Sequence, residues 1–507
     1  MEEQRHVAVV DFGSQYTQLI VRRVRELGFF AKLHAVEDFE NLGHPGAIIL
    51  SGGPSSTREE NAPDVDFDRL QKYAVPVLGI CYGMQLLNIK FGGQVEASDR
   101  REYGPADLIP EEGGGLFKGV SESSQVWMSH SDTVSDLVEG CRVIARNEHG
   151  TPVALQWGSS CFGIQFHPEV THSHEGLKVL RNFLEMAHGL QEFRIEDFKR
   201  TLLEEIKVQV GGKQVVCGVS GGVDSTVLAV LLKEAGIHMR AIFVDHGLLR
   251  KDEGEEVRKN FQRMGVDIET VEASEIFLSQ LAGVTDPEAK REIIGNLFIK
   301  VFWDSVGDAD MLAQGTLYPD VIESASNAKT KASKIKTHHN RVEKILELQR
   351  QGKVLEPLAE LFKDEVRELG LSLGIQPDIV NRHPFPGPGL AVRCPGEVTE
   401  DRLRIIQECD SIFISLLRQN EWYDKVWQAY AALVPVKTVG VKGDERSYEF
   451  AVSLRAVVSE DAMTADWVEL PYQILRDSSN QILNNVPGVN RVLYDVSTKP
   501  PASIEWE

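Results

Sequence analysis

Basic residues are scarce in this 507-residue chain. The chain has 54 lysines and arginines and 76 aspartates and glutamates, which gives a formal net charge of −22. This balance argues against a general nucleic-acid binder, because the phosphate backbone is bound by clustered positive charge. Any anionic substrate must therefore be met by local positive charge. One stretch supplies it, and its basic residues are Lys329, Lys331, Lys334, Lys336, Arg341 and Lys344.

Long apolar runs and paired cysteines are also missing. No stretch approaches the roughly 20 apolar residues that a helix needs to span a bilayer. The first six residues lack the basic and apolar pattern of a secretory signal. The six cysteines are scattered and form no C-x-x-C pair, so neither a zinc site nor a disulfide framework is predicted. We expect a cytoplasmic protein with reduced cysteines and no membrane segment.

The order of strand-like and helical segments predicts three domains. In residues 1–190, short apolar runs such as His6–Asp11 and Val75–Ile80 alternate with helical periodicity, which is typical of a parallel sheet covered by helices. The same pattern restarts in residues 191–382. After a loop rich in proline and glycine, residues 383–507 indicate a smaller α+β domain. The expected class is α/β, with two doubly wound parallel-sheet domains followed by the smaller domain.

A turn suited to a nucleophile lies at residues 79–83, where the motif G-x-C-x-G separates a predicted strand from a predicted helix. It is the sulfur counterpart of the serine turn of hydrolases, since the glycines permit a tight turn beside a helix N-terminus. The helix dipole there favours a thiolate. A lone cysteine is more often structural, and we prefer that interpretation for Cys161 and Cys217. The turn makes Cys81 the candidate nucleophile.

A cysteine nucleophile needs a base and a group that orients the base. His167 and Glu169 follow a predicted strand two residues apart, so an extended backbone directs both side chains to one side. Pro168 between them disfavours a helix. Either residue alone would be interpreted as a surface residue, but with the turn they predict a Cys-His-Glu triad. Oxyanion donors are expected from the backbone N–H groups of Gly53 and Tyr82.

A second glycine-rich turn follows a strand at residues 220–226 and opens another helix. Glycines let the backbone approach phosphates, and the helix N-terminus offers unbonded N–H groups. It is not a Walker A loop, because no G-K-[ST] follows. The alternative is an ordinary helix N-cap. The candidate ATP-binding residues are Ser220, Gly221, Gly222, Val223, Asp224, Ser225 and Thr226, with Asp224 also a candidate Mg²⁺ contact.

The two turns resemble those of known families. Residues 6–190 resemble the class I glutamine amidotransferases, which implies that glutamine is hydrolysed through a thioester and that ammonia is released. Many relatives have a glycine where this chain has Ser131. The second turn resembles the S-G-G-x-D-S loop of N-type ATP pyrophosphatases, which implies cleavage of ATP between its α and β phosphates.

Further segments resemble the glutamine-hydrolysing GMP synthetases, and together the resemblance covers essentially the whole chain. These segments are residues 314–324, 335–340, 382–393, 439–444 and 499–507. The resemblance implies that ammonia aminates ATP-adenylated XMP to GMP, with glutamine, ATP and XMP as substrates and Mg²⁺ accompanying ATP. It also implies a lid lysine at Lys336. The XMP contacts that it implies are Arg291, Asp444, Lys499 and Glu505.

A homodimer formed by the C-terminal domain is also implied. Two apolar runs, Val426–Val436 and Ala451–Val458, favour it because a small domain is not expected to bury them alone.

Three other functions stay open at this point. A tRNA-thiolating enzyme would need a sulfur relay and a basic RNA-binding face, which the overall charge opposes. An NAD synthetase would share the chemistry but usually carries another type of glutaminase. A scaffold with an inactive amidotransferase domain is opposed by the intact triad candidates.

Overall fold

The computed structural model describes residues 5–14, 16–111, 115–317, 320, 347–442, 444–459 and 464–507, without the side chains of residues 98–102 and 442. The chain divides into two compact units, Met1–Phe198 and Lys199–Glu507. Within these described ranges, no helix is both long enough and apolar enough to cross a membrane.

The first unit contains one large sheet. Its strands are β1 His6–Asp11, β2 Ala31–Ala35, β3 Pro45–Leu50, β4 Val77–Ile80, β5 Gln94–Pro110, β6 Ser124–Asp136, β7 Cys141–Asn147, β8 Pro152–Trp157 and β9 Cys161–Ile164. Its helices are α1 Thr17–Glu26, α2 Phe67–Lys72, α3 Tyr82–Lys90 and α4 Gly176–Glu185. The strand order is β2-β1-β3-β4-β9-β8-β7-β5-β6.

The parallel half of this sheet is the one that the sequence predicts. Strands β2, β1, β3, β4 and β9 are parallel, and β3 and β4 are buried throughout, as expected where both faces of a sheet are covered. The sheet then continues into four antiparallel strands that the sequence analysis did not predict. In β6 the buried face carries the polar residues His130 and Asp132, which interrupt the apolar alternation that marks a strand.

The second unit contains two sheets. Its strands are β10 Val215–Val219, β11 Met239–Asp245, β12 Ile268–Glu272, β13 Met311–Ala313, β14 Val354–Leu355, β15 Gln428–Lys442, β16 Glu445–Val458, β17 Asp466–Trp467 and β18 Val489–Tyr494. Its helices are α5 Ile195–Val210, which contains the division between the units, α6 Val223–Glu234, α7 Glu253–Arg263, α8 Ser274–Leu281, α9 Pro287–Val306, α10 Lys363–Ser372, α11 Pro377–Val380, α12 Glu400–Gln419 and α13 Tyr472–Asn485.

The sheet β12-β11-β10-β13-β14 is parallel throughout, so the α/β prediction is confirmed in this unit as well. In the other sheet, β15-β16-β17 are antiparallel and β18 runs parallel to β16. One hydrophobic core joins both sheets of this unit. It contains Ile242 of β11 and Phe277 of α8 together with Phe413 of α12 and Val452 of β16. The boundary predicted at residue 382 therefore falls inside a single compact unit, and the three-domain division stays a prediction.

Most of the two apolar runs that favoured a dimer is buried within one chain, and the dimer stays a prediction. The side chains of residues 429–433 are fully buried, and those of residues 451–457 are at most 2% exposed, because α12 and β18 cover them within the same chain. Each run ends in an exposed side chain, since Val436 is 56% and Val458 is 42% exposed. Outside the runs, Val439 and Val441 on β15 and Tyr448 on β16 are more than half exposed.

Candidate functional site

Cys81 occupies a strained turn between β4 and α3. Its backbone angles are φ 52° and ψ −105°, which non-glycine residues rarely adopt. The N–H of Cys81 donates to Ile164 O on the neighbouring strand β9 at 2.7 Å. The residue is only 6% exposed. The sheet therefore holds this candidate nucleophile in one backbone conformation.

Close packing requires the two glycines of the motif. A Cβ atom on Gly79 would lie 2.5 Å from the carbonyl group of Gly83, and one on Gly83 would lie 2.3 Å from Leu50 O. Both separations are far below van der Waals contact, and backbone atoms cannot rotate away. The spacing G-x-C-x-G is thus a steric requirement of this turn.

His167 and Glu169 contact each other beside the turn. Nδ1 of His167 lies 2.7 Å from Oε1 of Glu169, and the two side chains are 4% and 1% exposed. The N–H of His167 donates to Trp127 O at 3.0 Å, and the ring of Tyr16 packs edge-on against the imidazole. The structure therefore brings the predicted nucleophile, base and orienting carboxylate together.

The surroundings of His167 favour its charged form. Burial opposes a positive charge on the ring, but the carboxylate of Glu169 and the neighbouring thiol of Cys81 outweigh burial and raise the pKa of His167 well above 6.5. The nearby His130 behaves oppositely. Its burial outweighs a hydrogen bond with Asp132 O, and its pKa falls to about 4. Of the two histidines, His167 is therefore the one whose surroundings favour a proton on the ring.

The candidate oxyanion donors border the same space. A Cβ atom on Gly52 would lie 3.1 Å from Cε1 of His167, so the segment that contains Gly53 passes directly beside the imidazole. Tyr82 is the first residue of α3, where N–H groups have no acceptor within the helix. The next N–H of the helix is already bonded to the loop after β3. Gly53 and Tyr82 therefore stay the candidate oxyanion donors.

Asp132 is a buried residue of this region whose partners no motif indicated. It is 5% exposed and accepts hydrogen bonds from Ser56 Oγ at 2.5 Å and Arg58 Nη2 at 2.9 Å. These bonds fix the loop after Gly53 to strand β6. The neighbouring Ser131 is exposed and leaves this network intact.

The phosphate loop lies between β10 and α6, as predicted. Gly221 has φ +73°, and a Cβ atom there would lie 2.4 Å from a side chain of α7, so only glycine fits. The N–H of Ser220 donates to Ser225 Oγ at 3.1 Å, and the two hydroxyl oxygens are 3.2 Å apart. Arg382 donates to Gly221 O at 3.1 Å and pairs with Glu253 of α7. The loop is therefore braced before any ligand binds.

Only part of the predicted loop faces outward. Ser220 and Gly222 are exposed, whereas Val223 and Thr226 are 6% and 1% exposed. Thr226 Oγ1 donates to Gly222 O at 2.8 Å, so this hydroxyl proton is used inside the first helical turn. The outward-facing groups are thus the hydroxyl of Ser220 and the backbone around Gly222, whose own N–H donates to Ser220 Oγ at 3.3 Å.

Asp224 is paired with Lys363, the first residue of α10, which no motif marked. Oδ2 of Asp224 accepts from Nζ of Lys363 at 2.5 Å, across 139 residues of sequence. Oδ1 is buried and has no hydrogen-bond partner in the described part of the chain. Such an oxygen is costly unless a ligand or water satisfies it, so Asp224 fits the role of a single Mg²⁺ ligand.

Two further observations concern the nucleotide site. In the described ranges, no cluster of three or more His, Cys, Asp or Glu side chains could hold a metal ion by itself. Lys336 and the rest of the basic stretch lie outside the described residues.

Glu505 belongs to a buried hydrogen-bond network. Its carboxylate accepts from Nε and Nη2 of Arg393 at 3.0 and 2.9 Å, and from Nε2 of Gln428 at 2.8 Å. Arg291 lies on α9 and is paired with Glu288 of the same helix. Lys499 is partly buried, and its backbone pairs with that of residue 465.

Asp444 does not join these residues within one chain. It is exposed in the turn between β15 and β16, whereas Glu505 bonds to Gln428 at the start of β15. At about 3.3 Å per residue, an extended strand of the length of β15 is roughly 45 Å long. A mononucleotide is much shorter, so Asp444 and Glu505 of one chain cannot contact the same XMP molecule.

Comparison with known proteins covers nearly the whole sequence. Family models match at residues 8–187 (glutamine amidotransferase class-I), 195–288 (PP-loop domain) and 415–506 (GMP synthase C terminal domain). The chain is 51% identical to a GMP synthase (glutamine-hydrolyzing) of Thermosipho melanesiensis, over 99% of each chain. It is 50% identical to proteins of the same name from Cytophaga hutchinsonii, over 99% of each chain, and Christiangramia forsetii, over 99% of this chain and 100% of that one.

Proposed function

The chain belongs to the glutamine-hydrolysing GMP synthase family, and from this premise we propose that Cys81, His167 and Glu169 release ammonia from glutamine and that residues 220–226 bind the ATP that activates XMP. The enzyme is a ligase that makes GMP with glutamine as nitrogen donor and ATP as energy source. The assignment of the glutaminase residues depends most on the contact between His167 and Glu169 beside the strained turn of Cys81.

At the first site, His167 takes the thiol proton of Cys81 as Sγ attacks the side-chain amide carbon of glutamine and forms a C–S bond. His167 then gives this proton to the amide nitrogen as the C–N bond breaks and ammonia leaves, and Glu169 holds the ring of His167 in the required orientation. The amides of Gly53 and Tyr82 stabilise the negative oxygen of the tetrahedral intermediate. Water then attacks the thioester with His167 as base, which releases glutamate and restores the thiol.

At the second site, O2 of the xanthine ring attacks the α-phosphorus of ATP. The new P–O bond forms as pyrophosphate leaves, and the phosphate loop holds this pyrophosphate through Ser220 and the backbone at Gly222. Lys363 lies close enough to add a positive charge there, since it already contacts Asp224. Ammonia then attacks C2 of the base, and AMP departs with the bonding electrons.

Magnesium fits one protein position in this scheme. The unpartnered Oδ1 of Asp224 would bind it, with phosphate oxygens supplying most of the other ligands. The ion would neutralise negative charge on the phosphates.

The proposed XMP site uses Arg291, Lys499 and Glu505 of one chain and Asp444 of a second copy in a homodimer. The length of β15 supports a second copy, since it keeps Asp444 away from Glu505 of the same chain. The exposed apolar side chains Val439, Val441 and Tyr448 beside that turn are suited to an interface.

Mixing two variants tests this arrangement. Asp444→Ala and Glu505→Ala should each be inactive with XMP, but their mixture should regain about a quarter of wild-type activity, because random pairing restores one site in half of the dimers. Light scattering should give a dimer for the intact chain. A mixture that stays inactive, with a dimer present, would place Asp444 outside the XMP site.

A coupled assay tests the function as a whole. GMP, AMP and pyrophosphate should form in equal amounts from XMP, ATP, Mg²⁺ and glutamine, and omission of any component should stop the reaction. Ammonium should replace glutamine. Formation of AMP without GMP when every component is present would contradict the proposed amination. All six cysteines are free, which supports a reducing, cytoplasmic setting for the reaction.

A further inference from the structure

Three basic side chains lie inside the second unit. Lys290 and Arg393 are 0% exposed, and Arg455 is 1% exposed. A buried cation is costly unless acceptors surround it. All three donate to the last residues of the chain, here called the tail (residues 497–507), and Arg455 also pairs with Asp495 at 2.9 Å.

Each cation bonds to a different part of the tail. Arg455 donates to Ser503 O at 3.0 Å and to Ile504 O at 2.9 Å. Arg393 donates twice to the carboxylate of Glu505. Lys290 donates to Oε2 of Glu507 at 2.5 Å.

The pair formed by Lys290 and Glu507 links two elements of the proposed XMP site. Lys290 precedes Arg291 on α9, and Glu507 lies two residues beyond Glu505. Nζ of Lys290 also donates to Cys394 O at 2.8 Å, next to the arginine that holds Glu505. The position of Glu507 is fixed further by its own N–H, which donates to Val392 O at 3.0 Å. The pair thus connects α9, residues 392–394 and the tail at one buried point.

We propose that Lys290 and Glu507 are positioning residues for XMP, and that their ion pair sets the spacing between Arg291 on α9 and Glu505 in the tail. The inference rests on the assignment of Arg291 and Glu505 to XMP made above. Neither Lys290 nor Glu507 touches the nucleotide, and each acts through its neighbour.

The pair is not the main anchor of the tail. Ile504 is 8% exposed, and its carbonyl accepts from Tyr430 Oη at 2.7 Å as well as from Arg455. Loss of the Lys290–Glu507 pair should therefore leave the tail docked. What changes is the freedom of α9 to shift relative to Glu505, and a displacement of about 1 Å at a binding group can cost up to about 100-fold.

The test uses the full-length enzyme with the double variant Lys290→Met/Glu507→Gln, which removes both charges and keeps the side-chain volumes. A matched control is Lys251→Met/Glu408→Gln, which removes a half-exposed Lys–Glu pair of the same unit (N–O distance 2.8 Å). We expect KM for XMP to rise about 10- to 100-fold in the first variant, with kcat, KM for ATP and glutaminase activity within about twofold. The control should keep the wild-type KM for XMP. Glu507→Gln alone, which retains an acceptor for Lys290, should give a smaller rise.

Several results would overturn the proposal. An unchanged KM for XMP in the double variant would exclude a positioning role. Equal losses towards XMP and ATP with a lower urea midpoint would make the pair purely structural, and unfolding of the double variant with a normal Glu507→Gln enzyme would lead to the same conclusion. Failure of the underlying function is distinguishable, since wild-type enzyme would then make no GMP from XMP.

Discussion

The strand–turn–helix junctions at Cys81 and at the phosphate loop differ in how exposed their polar groups are and in how many of these groups already have partners in the folded chain. At the first, Cys81, His167 and Glu169 are at most 6% exposed, and His167 and Glu169 are already bonded to each other. At the second, Ser220 and Gly222 are exposed, and one oxygen of Asp224 has no partner in the described chain. Covalent catalysis needs side chains fixed to within a fraction of an ångström, whereas a phosphate site supplies donors and lets the ligand complete the network.

The largest expected effect is the loss of the glutamine-driven reaction while the ammonium-driven reaction is kept. Cys81→Ala should lower glutamine-driven GMP synthesis by at least about 10⁴-fold, because the nucleophile is lost. Ammonium-driven synthesis should stay within about twofold of wild type, since the second junction is untouched. Both rates can be measured by GMP formation. Cys161→Ala, at the start of β9, is the matched control and should behave as wild type. Loss of the ammonium-driven rate in folded Cys81→Ala enzyme would contradict the separation.

The converse variant is Asp224→Ala. Pyrophosphate release should fall about 10²- to 10³-fold with either nitrogen source, because a phosphate-site carboxylate is removed and Lys363 loses its partner. Ser225→Ala should act in the same direction. Glutamine hydrolysis at Cys81 should persist. Glu255→Gln, an exposed acid on α7, serves as control, and wild-type pyrophosphate release from Asp224→Ala would remove Asp224 from the nucleotide site.

Glu169→Gln tests how far the first junction is preorganised. Glutamine hydrolysis should fall about 10²-fold or more, since the ring loses its orienting carboxylate, and the pKa of His167 should fall. The raised pKa also stabilises the folded state. That contribution is fully present below the unfolded-state pKa of 6.5 and is lost as pH rises through the higher folded-state pKa.

Urea unfolding at two pH values measures this contribution. Wild type should lose more stability than Glu169→Gln between pH 6 and a pH above the folded-state pKa. Identical losses, or a normal glutaminase rate in Glu169→Gln, would show that the carboxylate does not act through His167.

The smallest effect expected is at Lys336, in the basic stretch. Lys336→Ala should slow the formation of adenylated XMP about tenfold, because one charge-assisted contact to the triphosphate is lost. Single-turnover measurement of adenyl-XMP is the direct readout. An unchanged rate would assign the role to another lysine of the stretch, and Lys329→Ala provides the comparison.

Local motifs were predictable from the sequence, and contacts between distant segments were not. The turn at Cys81 and the loop at Gly221 each occupy a few consecutive residues between a strand and a helix, so the spacing of their glycines predicts them. No sequence motif indicated a role for Lys363, because that role depends on Asp224, which is 139 residues away in the sequence. Arg382, on the glycine- and proline-rich segment, likewise meets Gly221 only in the folded chain.

The burial of apolar runs was also not predictable from the sequence. The apolar segments of β15 and β16 were expected to exceed what a small domain buries, but helix α12 covers most of them in the shared core. Whether an apolar run is buried depends on what packs against it, and pattern alone does not give that. The same holds for Asp444, whose separation from Glu505 follows only from the length and pairing of β15.

The bond between Lys290 and Glu507 spans 217 residues and has a consequence during translation. Domains generally fold as they leave the ribosome, N-terminal units first, at about 5–20 residues per second. The first unit has all its described strands once residue 198 has emerged. In the second unit, Lys290 lacks its carboxylate partner, and Arg393 lacks the nearer of its two, until residues 505–507 are made. For tens of seconds, a nascent chain can therefore carry a folded glutaminase with no finished site to consume its ammonia.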